Sequence, residues 1–341
     1  MASALLIDKY DRVARDLRVS LTDRCNLRCT YCMPAEGLEW IPTPLTLSDE
    51  ETIRLIRIAV TELGIRQVRF TGGEPLLRKS LEKIIAATKQ LQTDEGLSPH
   101  TAITTNALGL ERRAKGLKAA GLDRVNISLD TLNADHYFQL TRRNRHADVL
   151  RGIDAALENG LTPVKVNSVV MPGINDPDIV DLALFAVRRG LNLRFIEQMP
   201  LGPREQWARA EMVTAAEILT SLESRFEISA ASEPRGSAPA ELWNVVDRLN
   251  PKIAGQIGII ASVSHPFCGA CDRTRLTTDG AIRTCLFSRS ETSLRDIMRA
   301  GATDAELADI WRTTMWAKKA GHDIDDPNFI QPQRTMSAIG G

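Results

Sequence analysis

The chain has 341 residues, with 43 basic and 43 acidic side chains and a formal net charge of zero. There is no global basic field to hold nucleic acid or an anionic membrane, though the balance leaves room for a local basic pocket. With 43% hydrophobic, 25% charged and 5% aromatic residues, the composition is that of a globular protein of two domains, or of one α/β barrel with an appendage.

Met1 to Asp8 carries no charged segment followed by an apolar run. No uncharged apolar stretch of about 18 residues occurs, so a cytoplasmic chain without a membrane helix is expected. Short β-branched runs then predict strands at Leu17–Leu21, Gln67–Thr71, Thr101–Thr105, Arg124–Leu129, Val164–Val170 and Leu193–Glu197. The intervening segments read as helices. Ser48 and Glu51 form a capping-box pattern, and Asp176-Pro177 reads as an N-cap followed by proline. Six strand–helix units imply a parallel sheet, either an open three-quarter barrel or a doubly wound sheet. Beyond about residue 225 the pattern changes. Ala230–Ala240 reads as a loop, Glu241–Leu249 and Gln256–Ser264 as strands, and Leu294–Arg299 and Asp304–Lys318 as helices.

The six cysteines form two triplets, Cys25, Cys29, Cys32 and Cys268, Cys271, Cys285. In a reducing compartment such spacing points to metal rather than to disulfides. Three thiolates can hold an iron–sulfur cluster with one iron left open, or a zinc ion completed by another ligand. For the second triplet, His265 is near enough in sequence to complete a zinc site. The first triplet follows the first strand. The second strand ends in Thr71-Gly72-Gly73-Glu74-Pro75, where glycines allow another backbone or a ligand close, and where Glu74 can accept from an ammonium. The same residues also suit a tight turn. Ser128 and Asp130 end the fourth strand, placed to hydrogen-bond a ribose or to cap a turn. On a strand, Arg273 and Arg275 project on one face and suit a phosphate chain. Arg18, Arg69, Lys165 and Arg194 lie on predicted strands, where a charge needs a partner. By itself, the Gly340-Gly341 end reads as a frayed tail.

The segment Leu17–Pro34, with Cys25-x3-Cys29-x2-Cys32, the Gly-Gly-Glu-Pro turn, Cys268-Gly-Ala-Cys-Asp-Arg-Thr-Arg275, Cys285 and the terminal Gly-Gly closely resemble the radical S-adenosylmethionine (SAM) GTP 3′,8-cyclase family, known as MoaA. The resemblance covers residues from about 10 to 341. It implies an incomplete (β/α)6 TIM-type barrel over residues 10–225. A C-terminal α+β extension over 226–341 would close the barrel and carry a second 4Fe–4S cluster. The activity implied is SAM-dependent radical conversion of GTP to 3′,8-cyclo-7,8-dihydro-GTP, a lyase reaction that is the first step of molybdenum cofactor biosynthesis.

The resemblance further implies that Cys25, Cys29 and Cys32 hold a SAM-binding 4Fe–4S cluster, with Tyr31, Gly73, Glu74, Ser128 and Met199 at the SAM site. Cys268, Cys271 and Cys285 would hold a substrate-binding 4Fe–4S cluster. GTP would meet Arg18, Arg69, Thr104, Lys165, Arg194, Arg273, Thr274 and Arg275, with Arg273, Arg275, Gly340 and Gly341 in the catalytic pocket. A homodimer, an electron donor and the downstream cyclic pyranopterin monophosphate synthase are the implied partners, with neither nucleic acid nor membrane. Two positions depart from the family pattern. Gln67 replaces a usual lysine, which removes an expected phosphate contact. Ala107 replaces a usual glycine, which predicts a different loop after the third strand.

Overall fold

The computed structural model describes residues 5–203, 207–326 and 329–340. Six strand–helix units run in chain order. They are β1 (Asp16–Ser20) and α1 (Asp49–Thr61), β2 (Gln67–Thr71) and α2 (Leu81–Lys89), then β3 (His100–Thr105) and α3 (Leu110–Ala119). Next come β4 (Arg124–Ser128) with α4 (Ala134–Thr141) and α5 (His146–Glu158), β5 (Lys165–Val170) with α6 (Ile179–Arg188), and β6 (Asn192–Glu197) with α7 (Ala215–Glu223). The remainder adds strands β7 (Phe226–Ala230), β8 (Glu241–Asp247), β9 (Ala254–Ile260), β10 (Arg273–Leu276), β11 (Ala281–Arg283) and β12 (Thr292–Ser293). Its helices are α8 (Leu294–Arg299), α9 (Asp304–Trp316) and α10 (Met336–Ile339).

The strands form one sheet in the order β12-β11-β10-β1-β2-β3-β4-β5-β6-β9-β8-β7. Strands β1 to β6 are parallel neighbours in sequence order. A doubly wound sheet reverses its order at a switch point, so sequential order identifies the partial barrel. The extension lengthens both edges, with β10 parallel to β1 and β9 parallel to β6. Among the described residues β9 and β10 do not pair, so no ladder closes the barrel. Residues 261–272, with Cys268 and Cys271, connect the two edges instead.

Strand alternation separates the two faces. In β1, Leu17 and Val19 are buried in the main apolar core together with Leu55, Ile56 and Val60 of α1, whereas Arg18 faces the interior. Burying each such aliphatic side chain contributes about 2 kcal/mol. α1 starts with a complete capping box: Ser48 Oγ accepts from Glu51 N at 3.1 Å, and Ser48 N donates to Glu51 Oε2 at 2.8 Å. α6 starts later than the Asp176-Pro177 pattern predicts, because residues Asp176–Asp178 form a separate 3-10 turn. β9 ends at Ile260 rather than Ser264, since Val263 and Ser264 turn to donate their N–H groups to the buried Glu197 carboxylate. A smaller core of Leu201, Met212, Val263, Phe287 and Ile324 packs with Met199, Cys285 and Met336. Among the described residues no helix is long and apolar enough to cross a membrane.

Candidate active site

The interior face of the sheet and the loops at its C-terminal end enclose a cavity of about 310 Å³. All six cysteines line it. Cys25, Cys29 and Cys32 lie on the loop after β1, where the Cys32 and Met33 N–H groups both donate to Cys29 O, at 2.9 and 3.0 Å. This loop is braced by the glycine turn after β2. Gly73 N donates to Thr22 O at 2.6 Å and Glu74 N to Arg24 O at 2.8 Å. A Cβ at Gly72 would lie 2.3 Å from Thr22 O, and one at Gly73 2.2 Å from Arg24 O. The two glycines are therefore required by a close backbone approach.

Glu74 departs from its expected role. It does not line the cavity; its Oε1 accepts from Thr105 Oγ1 at 2.7 Å and Leu76 N at 2.9 Å, and its Oε2 from Asn106 N at 2.8 Å. Asn106 in turn donates to Asn26 Oδ1 at 2.7 Å and points its amide at Cys25 Sγ, 3.9 Å away. Glu74 is thus built into the frame beneath the cysteine loop. Burial pushes its carboxyl up to about 7, against the opposing pull of those three donors. Tyr31, Gly73, Ser128 and Met199 do line the cavity. Asp130 also lines it, but its carboxylate is engaged by Tyr31 OH at 2.8 Å and Val169 N at 2.9 Å. Burial raises the Asp130 carboxyl to about 6.

Cys268, Cys271 and Cys285 line the same space, with Arg273 and Arg275 on β10. Thr274 alternates outward, where its hydroxyl accepts from Trp311 Nε1 at 3.1 Å, so its side chain is not brought to the cavity. His265 does not line the cavity either: it is exposed and its Nδ1 lies 3.1 Å from Ser264 Oγ. His322 does line it, but its Nε2 lies 3.0 Å from Ser262 O and its Nδ1 accepts from Ile324 N at 3.2 Å. Both ring nitrogens are used, so neither is available to complete a zinc site.

The sheet register brings the basic side chains together. Arg275 pairs beside Arg18, and Arg18 beside Arg69, which places three interior guanidiniums side by side on β10, β1 and β2. Asp16 lies among them, with Oδ2 at 3.4 Å from Arg69 Nη2 and 4.0 Å from Arg18 Nε. Among the described residues, the buried atoms Arg18 Nε, Arg69 Nε and Asn167 Oδ1 find no hydrogen-bond partner. Thr104 and Arg194 line the cavity with them. Lys165 lies one alternation below Asn167 on β5 and is not part of the lining. Its ammonium is nonetheless brought down to about 7, by burial and then by Arg194, Arg124 and Arg69. Burial, and then neighbouring guanidiniums, brings Arg194 to about 10 and holds Arg18 well below the usual arginine range. Crowded buried cations of this kind, sharing the Asp16 carboxylate, call for a polyanion. Arg124, which the sequence reading did not single out, belongs to the same group; its position on a predicted strand was the available signal. Gln67 Oε1 accepts from Arg124 Nη2 at 3.0 Å.

The C-terminal segment reaches the cavity. Met336 and Ser337 line it, and Met336 N donates to Leu201 O at 3.1 Å. Arg275 Nη1 donates to Gly340 O at 2.6 Å. Gly340 has φ +82°, and a Cβ there would lie 2.9 Å from Thr71 Cγ2 and 3.0 Å from Ser20 Cβ. Gly341 lies outside the described residues. Ala107 adopts φ +63°, the left-handed conformation glycine takes at little cost. The loop after β3 therefore has the glycine-like geometry despite the alanine, in contrast to the expected change.

The thiols also bear on what the two triplets can hold. Burial raises Cys25 to about 11, Cys32 to about 12 and Cys268 to about 11. For Cys271 burial also acts upward, but Arg273 and Lys318 outweigh it and bring the thiol to about 7. Among the described residues no three His, Cys, Asp or Glu side chains converge as ligands of a single ion. Each triplet instead supplies three soft donors to the wall of a shared cavity. That donor set fits iron–sulfur clusters.

Comparison with known proteins agrees. Residues 19–186 match the Radical SAM superfamily, and residues 191–324 match Molybdenum Cofactor Synthesis C. A GTP 3′,8-cyclase of Corynebacterium glutamicum is 68% identical over 337 residues, 99% of this chain and 89% of the relative. One from Streptomyces coelicolor is 61% identical over 338 residues, 99% of this chain and 96% of the relative. Among solved structures, Streptococcus suis SuiB bound to S-adenosylmethionine shares the fold, with a TM-score of 0.57 at 17% identity over 89% of this chain and 67% of that one. With two cysteine triplets facing one basic cavity, and relatives this similar over nearly their whole length, the chain belongs to the GTP 3′,8-cyclase family of radical SAM enzymes.

Proposed function

We propose that the chain converts GTP to (8S)-3′,8-cyclo-7,8-dihydro-GTP, a lyase-class reaction opening molybdopterin biosynthesis. The observation that carries this is the row Arg275, Arg18 and Arg69 inside a cavity lined by two thiol triplets. The row supplies a binding surface for a triphosphate, because guanidiniums donate bidentately to phosphate oxygens.

In this reading Cys25, Cys29 and Cys32 hold one 4Fe–4S cluster and Cys268, Cys271 and Cys285 a second. When bound, the first cluster and SAM supply reductive generation of a radical that abstracts hydrogen from the ribose. The chain's own residues do the rest. Tyr31, Gly73, Ser128 and Met199 wall the SAM side. Arg18, Arg69, Thr104 and Arg194 position the nucleotide, with Lys165 adding charge from below. Val169, Ile196, Ile260 and Phe267 give the cavity apolar walls that exclude water. Arg273 and Arg275 clamp the nucleotide at the second triplet, and Gly340 brings a side-chain-free backbone beside Arg275. A clamped nucleotide closes its ring as an oriented intramolecular step. Family resemblance adds a homodimer, an electron donor and cyclic pyranopterin monophosphate synthase as partners, and a division of the chain near residue 225.

The test is anaerobic reconstitution with iron and sulfide, then incubation with SAM, a reductant and each of the four nucleoside triphosphates. Formation of 5′-deoxyadenosine together with consumption of GTP is expected. 5′-Deoxyadenosine without loss of GTP would overturn the substrate assignment, and a chain that takes up zinc but no iron would overturn the chemistry.

A further inference from the structure

Lys318 follows α9 and is buried, 3% exposed as a residue. Its ammonium has three donors and meets three acceptors: Arg273 O at 2.9 Å, Cys271 O at 3.1 Å and Cys271 Sγ at 3.4 Å. Two are main-chain carbonyls, and the third is the sulfur of a cysteine read as a cluster ligand. Arg273 Nε donates to the same sulfur at 3.3 Å. Among the described residues, the other thiols with defined donors meet neutral groups: Asn106 Nδ2 and the Asn26 and Leu27 main-chain N–H groups at Cys25, the Tyr31 hydroxyl at Cys29, and the Ser337 and His322 main-chain N–H groups at Cys32 and Cys268. Cys271 is distinguished by two cationic donors. The position of Lys318 is set by α9, which Trp311 Nε1 pins to β10 through Thr274 Oγ1 at 3.1 Å.

We propose that Lys318 is a positioning residue for the second cluster, holding the Cys271 sulfur and raising the reduction potential of the cluster bound there. This rests on reading the second triplet as a cluster site. A cation donating to a ligating sulfur withdraws electron density from the iron and favours the reduced cluster, which carries one more negative charge. A buried ammonium, for its part, needs its full set of acceptors and an opposite charge.

The experiment uses the full chain carrying Cys25→Ala, Cys29→Ala and Cys32→Ala, so that iron binds at the second triplet alone. It is reconstituted anaerobically, and the midpoint potential is read by redox titration followed by electron paramagnetic resonance, alongside iron content. A parent chain that binds no iron overturns the two-cluster reading, a failure separate from that of Lys318. With iron bound, Lys318→Met should shift the midpoint to a more negative potential and Lys318→Arg should restore most of the shift. Equal midpoints in parent and Lys318→Met at equal iron content overturn the inference. Should Lys318→Met lose its iron, Lys318→Gln and Lys318→Arg decide. Iron kept by Lys318→Arg, with Lys318→Gln either losing it or shifted negative, supports the role of the charge. Iron lost by Lys318→Arg as well, or kept by Lys318→Gln at an unshifted potential, overturns it.

Discussion

Arg275 Nη1 donates to the main-chain carbonyl of Gly340 at 2.6 Å, which ties the C-terminal segment to a guanidinium that pairs beside Arg18 across the sheet. The tail is thereby part of the cavity wall. Gly340→Ala forces a side chain into φ +82° and against Thr71 and Ser20. Left-handed strain alone costs about 1–2 kcal/mol. A displaced tail should lower GTP conversion on the order of 100-fold, the scale of a misplacement of about 1 Å at a reacting site. Product formation and 5′-deoxyadenosine release, measured together, should separate: conversion falls, while SAM cleavage stays near that of the parent.

Lys165 gives the site a pH signature. In the unfolded chain its ammonium keeps its proton up to about 10.5, and in the folded chain only to about 7. Between those values the unfolded state binds more protons, so this group's contribution makes stability rise with pH from about 7 to about 10.5 and level off on either side of that window. A bound triphosphate supplies the missing negative charge and raises the folded value. GTP binding near pH 8 should therefore take up protons. Calorimetry in two buffers of different ionisation enthalpy would show it, and the uptake should shrink in Lys165→Met.

Gln67→Lys would add a cation where Arg124 now finds an acceptor at 3.0 Å. Losing that bond and gaining a like charge should destabilise the GTP-free chain by about 1 kcal/mol. The same change should tighten GTP binding, since the added ammonium joins Arg69 and Arg124 around the anion. Melting temperatures with and without GTP should diverge more than in the parent. A uniform drop in both would remove Gln67 from the anion site.

The strained Ala107 has room because residue 152 on α5 is glycine. A Cβ at Gly152 would lie 2.8 Å from Ala107 Cβ and 2.9 Å from Ala107 O. Gly152→Ala should cost about 1–3 kcal/mol through overpacking. In an Ala107→Gly background the cost should fall without vanishing, because the Ala107 carbonyl remains. Chemical denaturation of the four chains of that cycle measures the coupling, expected at about 1 kcal/mol.

Much of the core was legible because its signals are local. Alternation marks β2 as Gln67–Thr71 to the residue, and the other five barrel strands to within one residue at each end. Likewise α8 begins and ends where its periodicity predicts. The role of Glu74 was not legible, because its partners Thr105 and Asn106 come from the next strand's end, some 30 residues away in sequence. Thr274 was grouped with its arginine neighbours by adjacency, although the pleat sends it to Trp311. His265 lies nearer the second triplet in sequence, yet His322 reaches the cavity, through the segment beyond α9.

By itself the sequence determined the chemistry available: six thiols in two triplets, an Arg-x-Arg pair and charges on strands that must be hydrophobic on one face. Composition and spacing are covalent facts, and resemblance to a family reads them directly. Only the tertiary structure decided how those groups meet. Parallel register, a long-range property, aligned Arg275, Arg18 and Arg69 in one row and brought Gly340 against it. The zero net charge therefore conceals a strong local asymmetry. Acidic partners are spread over the surface in ion pairs such as Arg66–Asp94 and Arg299–Glu51, while the interior concentrates cations around Asp16. Burial makes that concentration costly until an anion enters, and burial is a property of the fold.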